Sequence, residues 1–397
     1  MLLGILISIF IGILCGAITG ILPGIHINLV GTILVGLSVT LLAGFSKIYL
    51  ISFIASMAIA HTFIDFIPSI FLGCPDTETQ LSILPGHKML KEGRGYEAVM
   101  LTAYGGITAT IILLVISFPL TFLISNIYST LQGFMAWILI GATLILIFTE
   151  KKKLTAIFVL LISGILGLCV LNLDIKEPLL PLLTGLFGSS MLITSIKNKT
   201  QIPIQEIKNP KINLFKPIIG AALASPLCGF LPGLGGGQSA ILANTISKTE
   251  DKGFLVLVGA TNILVMGLSF VSLYAISKTR TGAAVAIQKI IGTLSWKYLI
   301  LLLGVVLISG IISFFLTKIV TKVFSKYINK VNYSILSIGT LIFLVIIVLI
   351  FSGFLGLVVL LASTFTGIYF NTLPVKKTHM MGCLLVPTIL YYLGITV

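Results

Sequence analysis

His61 and Asp65 stand four residues apart inside the apolar run Ile48–Leu72, with Ser69 one turn further on. At helical spacing all three share one face. An ionisable side chain inside a membrane-length apolar helix is costly, so it reads first as part of an ion or proton path. Asp65 would bind Na+ or carry a proton, and His61 would tune it. The competing reading is a hydrogen-bonded pair between helices, or two residues close enough to an interface to be solvated. Two ligands on one face fall short of a metal set, so no metal is expected.

The same run leads into Gly73-Cys74-Pro75-Asp76-Thr77-Glu78-Thr79-Gln80, a dense polar stretch closed by Pro85-Gly86. Gly282, in the stretch Lys278-Thr279-Arg280-Thr281-Gly282, lies 209 positions after Gly73. Read as two hairpin tips meeting near the midplane, these stretches offer Asp76 and the hydroxyls of Thr77, Thr79, Thr279 and Thr281 to a substrate or cation. Arg280 would pair with a substrate carboxylate, and Glu78 joins His61 and Asp65 as a candidate for ion coupling. The alternative is an exposed loop with a helix N-cap at Asp76 or Thr77.

A third feature is a phrase that occurs twice. Gly20-Ile21-Leu22-Pro23-Gly24-Ile25 returns as Gly229-Phe230-Leu231-Pro232-Gly233-Leu234, again 209 positions on. Proline removes a backbone donor and glycine permits the bend, so each copy breaks a helix. Amides freed at a helix N-terminus form an anion site. His26 and Asn28 follow the first break; Gly235, Gly236, Gly237, Gln238 and Ser239 follow the second. Close helix crossings also use glycine, but breaks at matched places in two halves point to a binding site.

The elements that must position these residues follow from composition. Of 397 residues, 57% are hydrophobic and 9% charged, against about 25% charge in soluble domains. Continuous apolar runs predict an all-α polytopic membrane protein of roughly 10–14 helices, located as a multi-pass protein of the cell membrane. Their lack of alternation argues against a barrel. No cleaved signal peptide is expected, because the first run leads directly into the first break. The net charge of +14 sits in short loops, which predicts membrane topology rather than nucleic-acid binding. Five scattered cysteines form no metal or disulfide pattern.

The segment Lys197–Lys216, with five lysines, reads as a solvated linker between a first membrane repeat (1–209) and a second (210–397). Basic loops at Lys151–Lys153 and the linker follow the sixth and eighth apolar segments of the first half. Those at Lys318, Lys322, Lys326 and Lys330, and at Lys376–Lys377, follow the fifth and seventh of the second. That shift in parity predicts two inverted-topology repeats, with broken helices and re-entrant hairpins.

These residues resemble the TctA family, the large membrane subunit of tripartite tricarboxylate transporters. The resemblance rests on the two Pro-Gly phrases, Cys74-Pro75-Asp76, Leu84 through Met89, Gly93-Arg94, Gly185-Leu186-Phe187-Gly188 and the stretch from Gly367 to Pro387, and covers nearly the whole chain. Asp76 stands where the family pattern has glycine, and His26 and Asn28 where it has small residues. The resemblance implies a small membrane subunit and an extracytoplasmic solute-binding protein as partners, with an ion gradient as the driving force.

The expectation is a secondary transporter for a small organic anion, a di- or tricarboxylate, coupled to H+ or Na+ and needing no cofactor beyond that ion. Its rivals are a membrane-embedded enzyme using His61, Asp65, Asp76 and Glu78 on a lipid or polyprenyl substrate, and a passive channel.

Overall fold

In lipid every backbone polar group must be satisfied within its own segment, so continuous apolar runs become helices. A computed structural model describes residues 1–22, 44–73, 79, 83–197, 202–211, 213–230, 236–279 and 281–395, and no strand occurs among them. The first half contains α1 (Leu2–Ile21), α2 (Lys47–Ile64), α3 (Phe66–Leu72), α4 (Ile83–Lys91), α5 (Gly95–Gly133), α6 (Met135–Phe148) and α7 (Lys153–Leu171). It closes with α8 (Leu179–Leu183), a π-helical turn (Thr184–Ser189) and α9 (Ser190–Lys197). The second half contains α10 (Phe215–Phe230), α11 (Gly236–Ser247), α12 (Asp251–Ile276), α13 (Gly282–Ile291), α14 (Trp296–Tyr327), α15 (Tyr333–Asn371) and α16 (Gly382–Tyr392).

Among the described residues eight helical runs are long and apolar enough to cross a membrane. Three shorter apolar helices, α6, α10 and α13, accompany them. Two of the eight differ from the rest. The span Lys47–Leu72, formed by α2 and α3, and the span Asp251–Ile276 are each 26 residues long and each 94% buried, whereas the outer spans of α1 and α5 are 33% buried. The protein is therefore built around two sheathed helices. They carry the buried polar residues Ser52, Ser56, His61, Asp65 and Ser69 in one, and Thr261, Asn262, Ser269 and Ser272 in the other.

Glycine sets the closest approaches. Gly12, Gly16 and Gly20 form a ridge on α1, where an added Cβ would strike Ser56, Met57 and the backbone of His61 in turn. Three further pairs of tight crossings are reciprocal and join one half to the other. A Cβ on Gly105 of α5 would meet the carbonyl of Val256, and one on Gly259 of α12 would meet that of Thr102. Gly167 of α7 faces the Cys383 carbonyl while Gly382 of α16 faces that of Leu160. Gly185 in the π-turn faces the Leu360 carbonyl, and Gly367 of α15 faces that of Leu186. Small residues at such crossings let backbones approach and maximise dispersion contact, the main attraction available between helices in lipid.

Two local expectations are corrected, at Lys318–Lys330 and at the linker. Lys318, Lys322 and Lys326 belong to α14, which continues to Tyr327, with Lys330 in the 3-10 turn Ile328–Lys330; their long stems let charges extend past a helix end. The stretch from His87 to Lys91 is helical, with His87, Met89 and Leu90 buried. The linker is docked by Gln205: its Oε1 accepts from Gly95 N at 2.7 Å, and its Nε2 donates to the carbonyls of Leu90 and Pro203 at 3.0 and 2.7 Å.

Candidate functional site

In the first sheathed helix Pro68 lacks an amide hydrogen and crowds the carbonyl of residue 64. The helix breaks there, with Asp65 as the junction between α2 and α3. The Asp65 carbonyl accepts from both Ser69 N (3.2 Å) and Ser69 Oγ (2.7 Å). Because the single Ser69 hydroxyl proton is used in that bond, Thr79 Oγ1, 2.7 Å away, donates to Ser69. Helix α3 ends at Gly73 in the left-handed region (φ 66°). His61, four residues before Asp65, places Nδ1 3.1 Å from Thr19 Oγ1 on α1. His61, Asp65, Ser69 and Thr79 are all buried.

The second sheathed helix, α12, runs unbroken to Ser277, which caps it in the left-handed region (φ 54°) as Gly73 caps the first. Gly282, 209 positions after Gly73, opens α13. Ser269 Oγ lies 2.9 Å from Thr281 Oγ1 and accepts from Thr281 N at 3.2 Å. Thr281 in turn caps α13, its Oγ1 accepting from Ala284 N at 3.4 Å. Ser272 Oγ donates to the Lys278 carbonyl at 3.0 Å, fastening the connection. On α11, Gly236 and Gly237 are buried in the first turn, and Ser239 Oγ donates to Ser225 Oγ of α10 at 3.4 Å.

Each half thus ties its long central helix to the polar stretch that follows by a serine–threonine hydroxyl pair. Of the residues singled out in the sequence, this joins Thr79 and Thr281 to serines on the central helices. Thr279 is half-buried in the connection before α13, and Gln238 lies in α11. Pro23, Gly24, His26, Asn28, Asp76, Thr77, Glu78, Pro232, Gly233, Gly235 and Arg280 lie outside the described residues. Sequence reasoning missed Thr19, Ser269 and Asn262. Asn262 sits midway along a 26-residue apolar helix, and that placement of a polar side chain was the available signal. Among the described residues no three His, Cys, Asp or Glu side chains form a metal-binding group.

A charged rim closes one end of the molecule. Glu97 of α5 accepts from Lys252 Nζ (2.7 Å) and Arg94 Nε (2.8 Å), and Lys88 pairs with Asp251 (3.1 Å), so α5 and α12 begin together. Buried Glu150 takes Lys376 N (3.3 Å), with Lys376 Nζ at 3.8 Å and His379 Nε2 at 3.5 Å. His87 Nδ1 lies 3.2 Å from the Ile70 carbonyl, which makes that nitrogen the protonated donor. Burial lowers His87 to about 4, against the pull of that hydrogen bond, and the charges of Lys91 and Lys377 add to the effect. Lys377 Nζ reaches Met191 Sδ at 2.8 Å; burial, and then the charge of Lys91, lower its ammonium to about 8.

The geometry defines a multi-pass helical membrane protein with two sheathed polar helices, each clasped to the segment that follows it. The chain belongs to the tripartite tricarboxylate transporter TctA family, whose model matches residues 6–382. It is a family of transporters, not of enzymes. The chain is 33% identical over 355 residues to the uncharacterized protein MJ1079 of Methanocaldococcus jannaschii, covering 86% of this chain and 88% of that relative. No solved structure matches the chain.

Proposed function

We propose that the protein is a secondary active permease that moves a small organic anion, a di- or tricarboxylate, by alternating access coupled to an H+ or Na+ gradient. The observation that carries this reading is the matched pair of clasps, Ser69–Thr79 and Ser269–Thr281, each on a buried 26-residue helix with a left-handed cap. Buried hydroxyls and helix N-termini are what a transporter needs to bind an anion and a cation away from lipid, and the first central helix is broken at Asp65.

An inverted relation between the halves is supported by which helix ends meet. Phe71 near the end of α3 comes within 3.3 Å of a Cβ placed on Gly95 at the start of α5. The same start is joined to the start of α12 through Glu97 and Lys252. The two matched helices then run in opposite directions. The rim also gathers the loops carrying Lys151–Lys153 and Lys376–Lys377 with the linker, and the positive-inside rule turns that end toward the cytoplasm. A small membrane subunit and an extracytoplasmic solute-binding protein are the partners that fit a tripartite family.

The test is uptake by the full chain in liposomes, with and without its partner subunits, under imposed H+ or Na+ gradients and with a panel of carboxylates. Gradient-dependent accumulation of a di- or tricarboxylate is expected. Flux insensitive to either gradient would make it a channel, and lipid turnover without solute flux would make it an enzyme.

A further inference from the structure

Asn262 is the side chain the clasp geometry leaves over. It lies halfway along α12, is fully buried, and among the described residues neither its Oδ1 nor its Nδ2 has a hydrogen-bond partner. A buried carboxamide with no bonds is destabilising, and removing it usually helps a fold. Its retention needs a reason.

Its direction supplies one. Gly259, Ala260, Ile263 and Gly267 turn toward α5, and Leu268 turns toward Gly229 of α10. Asn262 is on neither face. It shares a third face with Ser269, seven residues on, since two helical turns leave a drift of only about 20°. Ser269 holds Thr281 and with it the N-terminus of α13, where the helix dipole favours an anion. The two points are about 10 Å apart along the helix axis at 1.5 Å per residue.

We propose that Asn262 is a substrate-recognition residue, donating from Nδ2 to one carboxylate of a cargo whose other carboxylate sits at the α13 N-terminus beside Thr281. This rests on the carboxylate reading above and deepens it. A span of two helical turns selects a two-ended anion: a monocarboxylate reaches one anchor, and a di- or tricarboxylate reaches both. A neutral amide at the deeper anchor binds the anion without placing a formal charge at mid-membrane, where charge is most costly.

The test uses the purified full chain in detergent, with melting temperature followed against succinate, citrate and acetate. Wild type is expected to be stabilised by succinate or citrate and not by acetate. Asn262→Leu is expected to melt at or above wild type without ligand, yet to need at least tenfold more di- or tricarboxylate for the same shift. Asn262→Gln, which keeps the amide on a longer stem, is expected to fall between the two, and it carries the comparison should the leucine variant fail to fold. A full shift at wild-type concentrations in Asn262→Leu, or in Asn262→Gln and Asn262→Ala alike, would overturn the role of Asn262 alone. No shift in wild type with any carboxylate would overturn the cargo reading together with it.

Discussion

Ser269 Oγ and Thr281 Oγ1 meet at 2.9 Å across the turn that separates α12 from α13, and Ser69 and Thr79 repeat the contact at 2.7 Å in the first half. Both pairs are buried. A hydroxyl bond of this kind contributes about 1 kcal/mol, so it positions the tip more than it holds the fold. Ser269→Ala and Thr281→Val should each lower unfolding stability by about 1 kcal/mol. Because the residues touch, the double variant should lose less than the sum of the two. Faster hydrogen exchange at the first amides of α13 should accompany the loss. Additive losses with unchanged exchange would mean that the hydroxyls do not act as a pair.

Asp65 is the ionisable candidate best placed for coupling, buried at the junction of α2 and α3. Asp65→Asn preserves shape and removes the charge. Accumulation driven by an imposed H+ or Na+ gradient should fall at least tenfold, about 1.4 kcal/mol in the driving interaction, while exchange of substrate at equal concentrations persists. Retained gradient-driven uptake would remove Asp65 from the role.

The reciprocal glycine crossings predict sharp steric penalties. Gly105→Val and Gly167→Val each direct a side chain at a backbone carbonyl of the other half. Backbone cannot rotate aside as a side chain does, so each should cost about 1–3 kcal/mol or more. Gly141, whose Cβ position has nothing within 4 Å beyond its own helix backbone among the described residues, serves as the control and should tolerate alanine with little change in melting temperature.

Gly353 kinks α15 with φ 68° and ψ −168°, a region open essentially to glycine alone. Among the described residues nothing outside its own helix backbone lies within 4 Å of its Cβ position, so the cost of Gly353→Ala is conformational. We expect a loss of about 1–3 kcal/mol in chemical unfolding, or a straightened α15 detectable as a changed distance between spin labels at its two ends.

Lys377 provides a pH signature. Its folded value of about 8 lies below the ordinary 10.5, so the unfolded chain holds the proton more tightly. Below pH 8 both states are charged and the penalty is constant. Between about 8 and 10.5 the folded state releases its proton first, so this group makes stability rise with pH. Comparing melting temperatures across that window, Lys377→Met should remove the rise. An unchanged slope in the variant would assign the effect to another base.

Much of the helical architecture was legible because lipid imposes one rule on every apolar run. The run Ile48–Leu72, for example, becomes the span Lys47–Leu72 to within one residue. The break before Ser69 was not placed at Asp65, because the proline that causes it lies three residues later and its clash acts backwards. The tips were paired on their glycines, and the left-handed end of α12 at Ser277 was not foreseen, because a non-glycine there carries no sequence signal. The glycine crossings were invisible, since each becomes meaningful only with its partner from the other half in place. Attention to charge drew His61 and Asp65 forward and left the neutral Asn262 unnoticed, although an unpartnered carboxamide at mid-helix is also costly to bury.

The sheathing of the span Lys47–Leu72 has a consequence for how the protein is made. That span packs against α14, which begins at Trp296. At roughly 5–20 residues per second, the ribosome needs about ten to fifty seconds to deliver one after the other. Throughout that interval a helix carrying His61, Asp65 and several serines stands in the bilayer without part of its permanent cover. A nascent chain in this state is a natural client for an insertase, and synthesis speed becomes a determinant of yield.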